Sequence, residues 1–160
     1  PIEDNGELKY TSSGSDKVEF LISSNPGEGL KPLSKIASGG EMSRIMLAFK
    51  NVISSCDNIP TLIFDEIDAG ISGITASIVG RKLKEIASHH QIICITHLPQ
   101  IAACGVSNYR IYKETDDEKT YTNIQKLSEE GRIEEIARLL GGTTVTETTL
   151  ASARELIANS

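Results

Sequence analysis

No stretch constrains the fold of this chain more than Thr61-Leu62-Ile63-Phe64-Asp65-Glu66. An apolar, partly β-branched run goes straight into two adjacent carboxylates. A buried strand that ends this way puts both acids at the carboxyl edge of a sheet, where open α/β sheets bind their ligands. Upstream, Ser38-Gly39-Gly40-Glu41 stands at an expected helix start. Downstream, Ile95-Thr96-His97 ends a second apolar run. A helix end that attracts phosphate, an acid pair suited to metal and water, and a histidine together read as part of a nucleotide-hydrolysing site. One part is missing, because no G-x-x-x-x-G-K-[ST] occurs anywhere in the sequence.

Periodicity supplies the rest of the architecture. Residues 1–16 are polar and turn-rich, with Asn5-Gly6 and Ser12-Ser13-Gly14-Ser15, and predict a hairpin or a loose edge. Residues 18–22 predict a strand, broken by Asn25-Pro26-Gly27-Glu28-Gly29 and a loop running to about Ala37. Met42, Ile45, Met46, Phe49, Val52 and Ile53 fall at helical spacing, so a helix is expected from Gly40 to about Ser54, with Ser38 as its N-cap and Asp57-Asn58-Ile59-Pro60 as its stop. A second helix is expected over 74–88 and a buried strand over 91–96. A short helix follows near 98–103. Two strands, 109–113 and 121–127, are joined across the acidic turn Asp116-Asp117-Glu118, and helices over 132–140 and 148–158 close the chain. Strand–helix–strand–helix–strand order through the middle implies parallel pairing.

Bulk properties narrow the function classes. A chain of 160 residues can bury the core of one ordinary domain, and 39% hydrophobic with 24% charged residues is a globular balance. A net charge of −6 argues against coating nucleic acid by charge alone. No apolar run is long enough for a membrane helix, and no signal peptide opens the chain. The first residue is Pro1 rather than Met, so a fragment is expected. Cys56, Cys94 and Cys104 form no C-x-x-C pair and read as buried free thiols of a reducing cytosol.

Each motif has a chemical reading and a plainer one. A helix start leaves backbone N–H groups unpaired, and Gly39 and Gly40 let a phosphate approach them. The same string is equally an ordinary capped helix. Asp65 can hold Mg²⁺, and Glu66 can orient or deprotonate an attacking water. Two ionised neighbours repel, which calls for a cation; the plain alternative is a solvated strand end. Asp68-Ala69-Gly70 could reach across a subunit interface or form a simple turn. His97 could hydrogen-bond a terminal phosphate or cap a strand–loop junction. Arg44 could face phosphate or a second subunit, and His89 and His90 read as exposed helix-end residues.

The order of these strings resembles the C-terminal half of an ABC-type ATPase head. Ser38-Gly39-Gly40-Glu41 is similar to the signature motif, Leu62-Ile63-Phe64-Asp65-Glu66 to Walker B with its catalytic glutamate, Asp68 to the D-loop and His97 to the switch histidine. Within that superfamily the chain looks most like the RecN family, bacterial SMC-like proteins of double-strand-break repair and recombination. Asn25-Pro26-Gly27-Glu28, the run from Lys35 to Ala48, Asp65 to Gly73, and Thr96-His97-Leu98-Pro99-Gln100-Ile101-Ala102 carry this resemblance. It extends from about Val18 to the C-terminus, and residues 1–17 match only loosely.

The resemblance implies a P-loop NTPase-type α/β fold, a largely parallel sheet flanked by helices. Residues 1–160 would be a single domain, the C-terminal lobe of a split head whose N-terminal lobe carries the P-loop beyond a long coiled coil. It implies ATP and Mg²⁺ as cofactors. Asp65 would hold the metal, with Glu66 and His97 catalytic. Ser38, Gly39, Gly40, Glu41 and Asp68 would serve nucleotide binding, the glycine turn acting on ATP held by an opposite head. Implied partners are the N-terminal P-loop lobe, a second head joined through ATP, and DNA through the full-length protein, with no membrane, in a bacterial cytoplasm at the nucleoid. The isolated lobe would be inactive. The alternatives are a head lobe of another SMC-type chromosome protein, or a non-catalytic interaction domain that kept an ABC-like lobe.

Overall fold

A computed structural model describes residues 3–4, 7–8, 10–23, 27–35, 38–53, 56, 58–116, 119–142 and 144–160. The expected turns at Asn5-Gly6, Asn25-Pro26 and Asp117-Glu118, the loop end at Ala37, and Ser54 and Asp57 at the first helix's end lie outside the described residues. The chain divides into two compact units, Pro1–Ser38 and Gly39–Ser160.

In the first unit, β1 (Glu3–Asp4) pairs antiparallel with β2 (Glu7–Leu8), and β3 (Leu21–Ile22) with β4 (Lys31–Pro32). The strand expected over 18–22 is therefore cut to two residues. Its partner runs after Pro32 straight into one turn of 3-10 helix at Leu33–Lys35, with a last hydrogen bond from the Leu33 N–H to the Phe20 carbonyl at 2.8 Å, and Val18 and Phe20 stay exposed. Thr11 and Gly14 exchange backbone hydrogen bonds of 3.0 and 3.1 Å across a tight turn. Gly14 sits at φ +116°, which suits a residue without Cβ.

The second unit opens with α1 (Gly39–Ile53), followed by β5 (Thr61–Phe64), α2 (Gly73–Ile86) and β6 (Gln91–Cys94). β5 and β6 pair in parallel, from Thr61 opposite Gln91 to Phe64 opposite Cys94, as the alternating element order predicts. Side chains alternate across a strand, so Leu62, Phe64, Ile92 and Cys94 turn to one face. There they meet Leu47 of α1 and Ala76, Val79, Leu83 and Ile86 of α2, whose spacing forms one helical stripe. The opposite face is bare, with Ile63 68%, Ile93 45% and Ile95 49% exposed. Parallel strands are ordinarily covered on both faces. Among the described residues every other strand pair is antiparallel.

α3 (Pro99–Cys104) follows β6 and packs closely on α2. A Cβ on Gly80 would lie 2.7 Å from the Cys104 sulfur. β7 (Tyr109–Thr115) and β8 (Thr120–Lys126) form the predicted hairpin, paired from Tyr109–Lys126 to Thr115–Thr120. α4 (Glu129–Gly141) starts before the expected Arg132 because Ser128 caps it, accepting from the Gly131 N–H at 3.1 Å. α5 (Glu147–Ala158) starts at a reciprocal Thr146–Thr149 cap. α3, α4 and α5 share a second core of Ala103, Ile136, Ala137 and Ala153.

Two surface assignments change. His89 is exposed, but His90 is buried, with Nδ1 2.7 Å from the Ile59 carbonyl oxygen, because the chain turns inward there to enter β6. The three cysteines are free as expected, yet Cys56 is exposed. No helix among the described residues is long and apolar enough to cross a membrane.

Candidate active site

The acids fall where the strand pattern places them. Asp65 directly follows β5, and Glu66 begins the turn after it; both are exposed. Glu66 has φ +56°, the one non-glycine residue at positive φ among the described residues. Such a conformation costs on the order of 1–3 kcal/mol and persists where surroundings impose it. They do so here. The Glu66 N–H donates to Asp65 Oδ1 at 2.9 Å, and the Glu66 carbonyl accepts from the Ala69 N–H at 3.0 Å. Ile67, fully buried, anchors the turn in the main core.

The start of α1 is built onto this turn. Ser43 Oγ donates to the Asp65 carbonyl at 2.8 Å, and Arg44 Nη1 donates to the carbonyls of Ile67 and Ala69 at 3.1 and 2.9 Å. Arg44 thus faces its own acid turn rather than a phosphate or a second subunit. It lies four residues after Gly40, on the same helix face. Gly40 is buried, and a Cβ there would stand 2.8 Å from the Glu66 carbonyl and 3.0 Å from Ala69. At exposed Gly39 a Cβ would meet only the Glu66 carboxylate, at 2.5 Å from Oε2. The two glycines therefore perform different tasks. Gly40→Ala is expected to destabilise the fold by about 1–3 kcal/mol, since backbone must move. Gly39→Ala should leave stability within about 0.5 kcal/mol but displace the flexible carboxylate. Urea titration of both variants checks this, and equal losses would refute the distinction. Ser38, the last residue of the first unit, and Glu41, in the first turn of α1, are both exposed.

Asp68 and His97 meet. Asp68, expected on an outward-reaching loop, is only 4% exposed. Its Oδ2 accepts from Thr96 Oγ1 at 2.6 Å and from the His97 N–H at 2.8 Å, and lies 3.0 Å from His97 Nδ1. Burial alone would raise the Asp68 carboxyl. The Thr96 hydroxyl, the His97 N–H and the His97 ring outweigh it and hold the group below the usual carboxylate range. Nearby, burial and the charges of Asp68 and Asp65 push the Cys94 thiol up to about 12, so it is inert as a nucleophile at neutral pH. The sequence marked the acids, glycines and histidine; Ser43 and Thr96 stood in the resembling strings without a role, and nothing there signalled the inward role of Arg44.

Among the described residues no group of three His, Cys, Asp or Glu side chains could hold a metal. Mg²⁺ takes one or two carboxylates together with phosphates and water, and the exposed carboxylates of Asp65 and Glu66 are hard oxygen donors of that kind.

No family model matches the chain. It is 50% identical over 144 residues to DNA repair protein RecN of Vibrio cholerae, covering 90% of this chain and 26% of that protein. It is 48% identical over 157 residues to RecN of Haemophilus influenzae, covering 98% of the chain and 28% of the relative. RecN of Bacillus subtilis is 43% identical over 157 residues, again 98% of the chain and 27% of the relative. The chain thus spans about a quarter of the length of the curated relatives it matches. The Smc head domain with a coiled coil and joint from Pyrococcus yayanosii superposes with a TM-score of 0.52 at 26% identity, over 72% of this chain and 24% of that one. With 43–50% identity to those three RecN proteins over 90–98% of its own length, this chain belongs to the RecN family, as a segment that shares its fold with an Smc head.

Proposed function

We propose that this chain is the C-terminal lobe, over residues 1–160, of a split ATP-hydrolysing head in a bacterial DNA-break repair protein. The observation that carries the reading is the acid turn at the end of β5. It is stapled to the glycine start of α1 on one side and reaches the switch histidine through Asp68 on the other. Mg²⁺–ATP, when bound, would supply the phosphoryl group and a positive charge beside the exposed carboxylates of Asp65 and Glu66. Asp65 would hold the metal from the strand end. Glu66 accepts a hydrogen bond, and then the proton, from the attacking water. His97 reaches the terminal phosphate of the same pocket. Ser38, Gly39, Gly40 and Glu41 close on nucleotide held by a second head, so ATP joins two heads and its hydrolysis releases them. DNA engagement belongs to the full-length protein, at the nucleoid in the cytoplasm.

The bare face of the β5–β6 pair is the seat of the P-loop lobe. A parallel pair exposing Ile63, Ile93 and Ile95 is half of a sheet sandwich, and the P-loop lobe would bring its missing cover. The test is reconstitution. The chain alone is expected to release no phosphate from ATP above background. Mixed with the separately made P-loop lobe, it should turn ATP over, and Ile93→Glu should weaken that complex at least tenfold in a titration by calorimetry. Turnover by the chain alone, lost in Glu66→Gln, would sink the half-site reading.

A further inference from the structure

We propose that Asp68 is the positioning residue of His97, an inference that rests on the role given to His97 above. One buried oxygen gathers the switch loop. Asp68 Oδ2 takes the Thr96 hydroxyl at 2.6 Å and the His97 N–H at 2.8 Å, and stands 3.0 Å from the ring Nδ1. Thr96 passes the restraint on, since its Oγ1 accepts from the Leu98 N–H at 3.1 Å. The loop backbone is thereby fixed on both sides of His97, while its side chain remains 73% exposed and open to a ligand.

The same carboxylate stands beside the ring nitrogen Nδ1. A carboxylate oxygen 3.0 Å from Nδ1 favours the tautomer that carries its proton there. In the neutral ring Nε2 is then an acceptor. Nε2 can donate to a phosphate oxygen only when the ring carries a second proton. The relation is that of a carboxylate that orients a catalytic imidazole. Asp68 lies three residues after Asp65, on the turn that α1 holds through Arg44. The acid pair and the histidine are therefore set by one short turn rather than by two independent loops.

The test has two arms. In this chain, ¹⁵N shifts of the His97 ring, measured above the ring's titration, should show the proton on Nδ1. Asp68→Asn, which keeps the shape but can offer an amide N–H to Nδ1, should move it toward Nε2 with the far-UV spectrum unchanged. In the full-length protein, Asp68→Asn should lower ATP turnover about 10- to 100-fold, the scale of a lost orienting partner. Asp68→Asn combined with His97→Ala should be no slower than His97→Ala alone. A bare Nδ1 in the unmodified chain overturns the proposal even if the variant fails to fold, and leaves the ATPase reading intact. So does an Asp68→Asn protein with full turnover when His97→Ala has lost it. If His97→Ala itself keeps full turnover, the role of His97 in the ATPase reading fails and the proposal falls with it.

Discussion

In a head assembled from this chain and its P-loop lobe, Glu66→Gln is expected to cut ATP turnover by about 10²- to 10⁴-fold, the usual contribution of a positioned general base. Glutamine keeps the size and much of the polarity of glutamate but cannot take a proton from water. The φ +56° backbone of residue 66 is imposed by the Asp65 carboxylate, the Ala69 N–H and the buried Gly40, none of which depends on the side chain's charge. The fold and the metal acid Asp65 should therefore survive the change. Phosphate release and equilibrium nucleotide binding, measured side by side, decide the matter. Turnover should collapse while binding stays within about twofold, a difference of under half a kcal/mol. Loss of both in parallel would give Glu66 a binding role instead.

The largest effect on stability is expected from Ile67→Ala. Ile67 is fully buried between the two acids of the turn, Glu66 and Asp68, and its own carbonyl accepts from Arg44 at 3.1 Å. Truncating it removes apolar burial and leaves a cavity under the turn, at about 2–5 kcal/mol. Against the roughly 5–15 kcal/mol that holds a domain together, this is a large fraction. Urea unfolding of the chain measures it, with the midpoint lowered and the slope unchanged. Ile63→Ala is the matched control. It removes a residue 68% exposed and should cost under about 0.5 kcal/mol in the isolated chain. Equal losses at 63 and 67 would mean the strand face is not bare.

Local chemistry was legible in the sequence. The helix at Gly39, the parallel pair β5–β6, the β7–β8 hairpin and the acids at a strand's end follow from periodicity and turn residues, which act over a few positions. Boundaries slipped where a cap or a helical turn intervened. Ser128 starts α4 three residues before Arg132, and the 3-10 turn at Leu33–Lys35 ends the partner of β3.

Long-range pairing was not legible. Arg44 looks like a cation for phosphate until its partners, 23 and 25 residues away, prove to be the carbonyls of Ile67 and Ala69. Asp68 looks like a surface turn acid until residues 96 and 97 arrive to bury it. Gly39 and Gly40 are indistinguishable as letters, yet one faces a movable carboxylate and the other backbone. Sequence alone determined which chemical groups this protein has and which strand or helix end carries each, because those depend on neighbours along the chain. Only the tertiary structure decided which groups restrain one another, because that depends on which elements share a core.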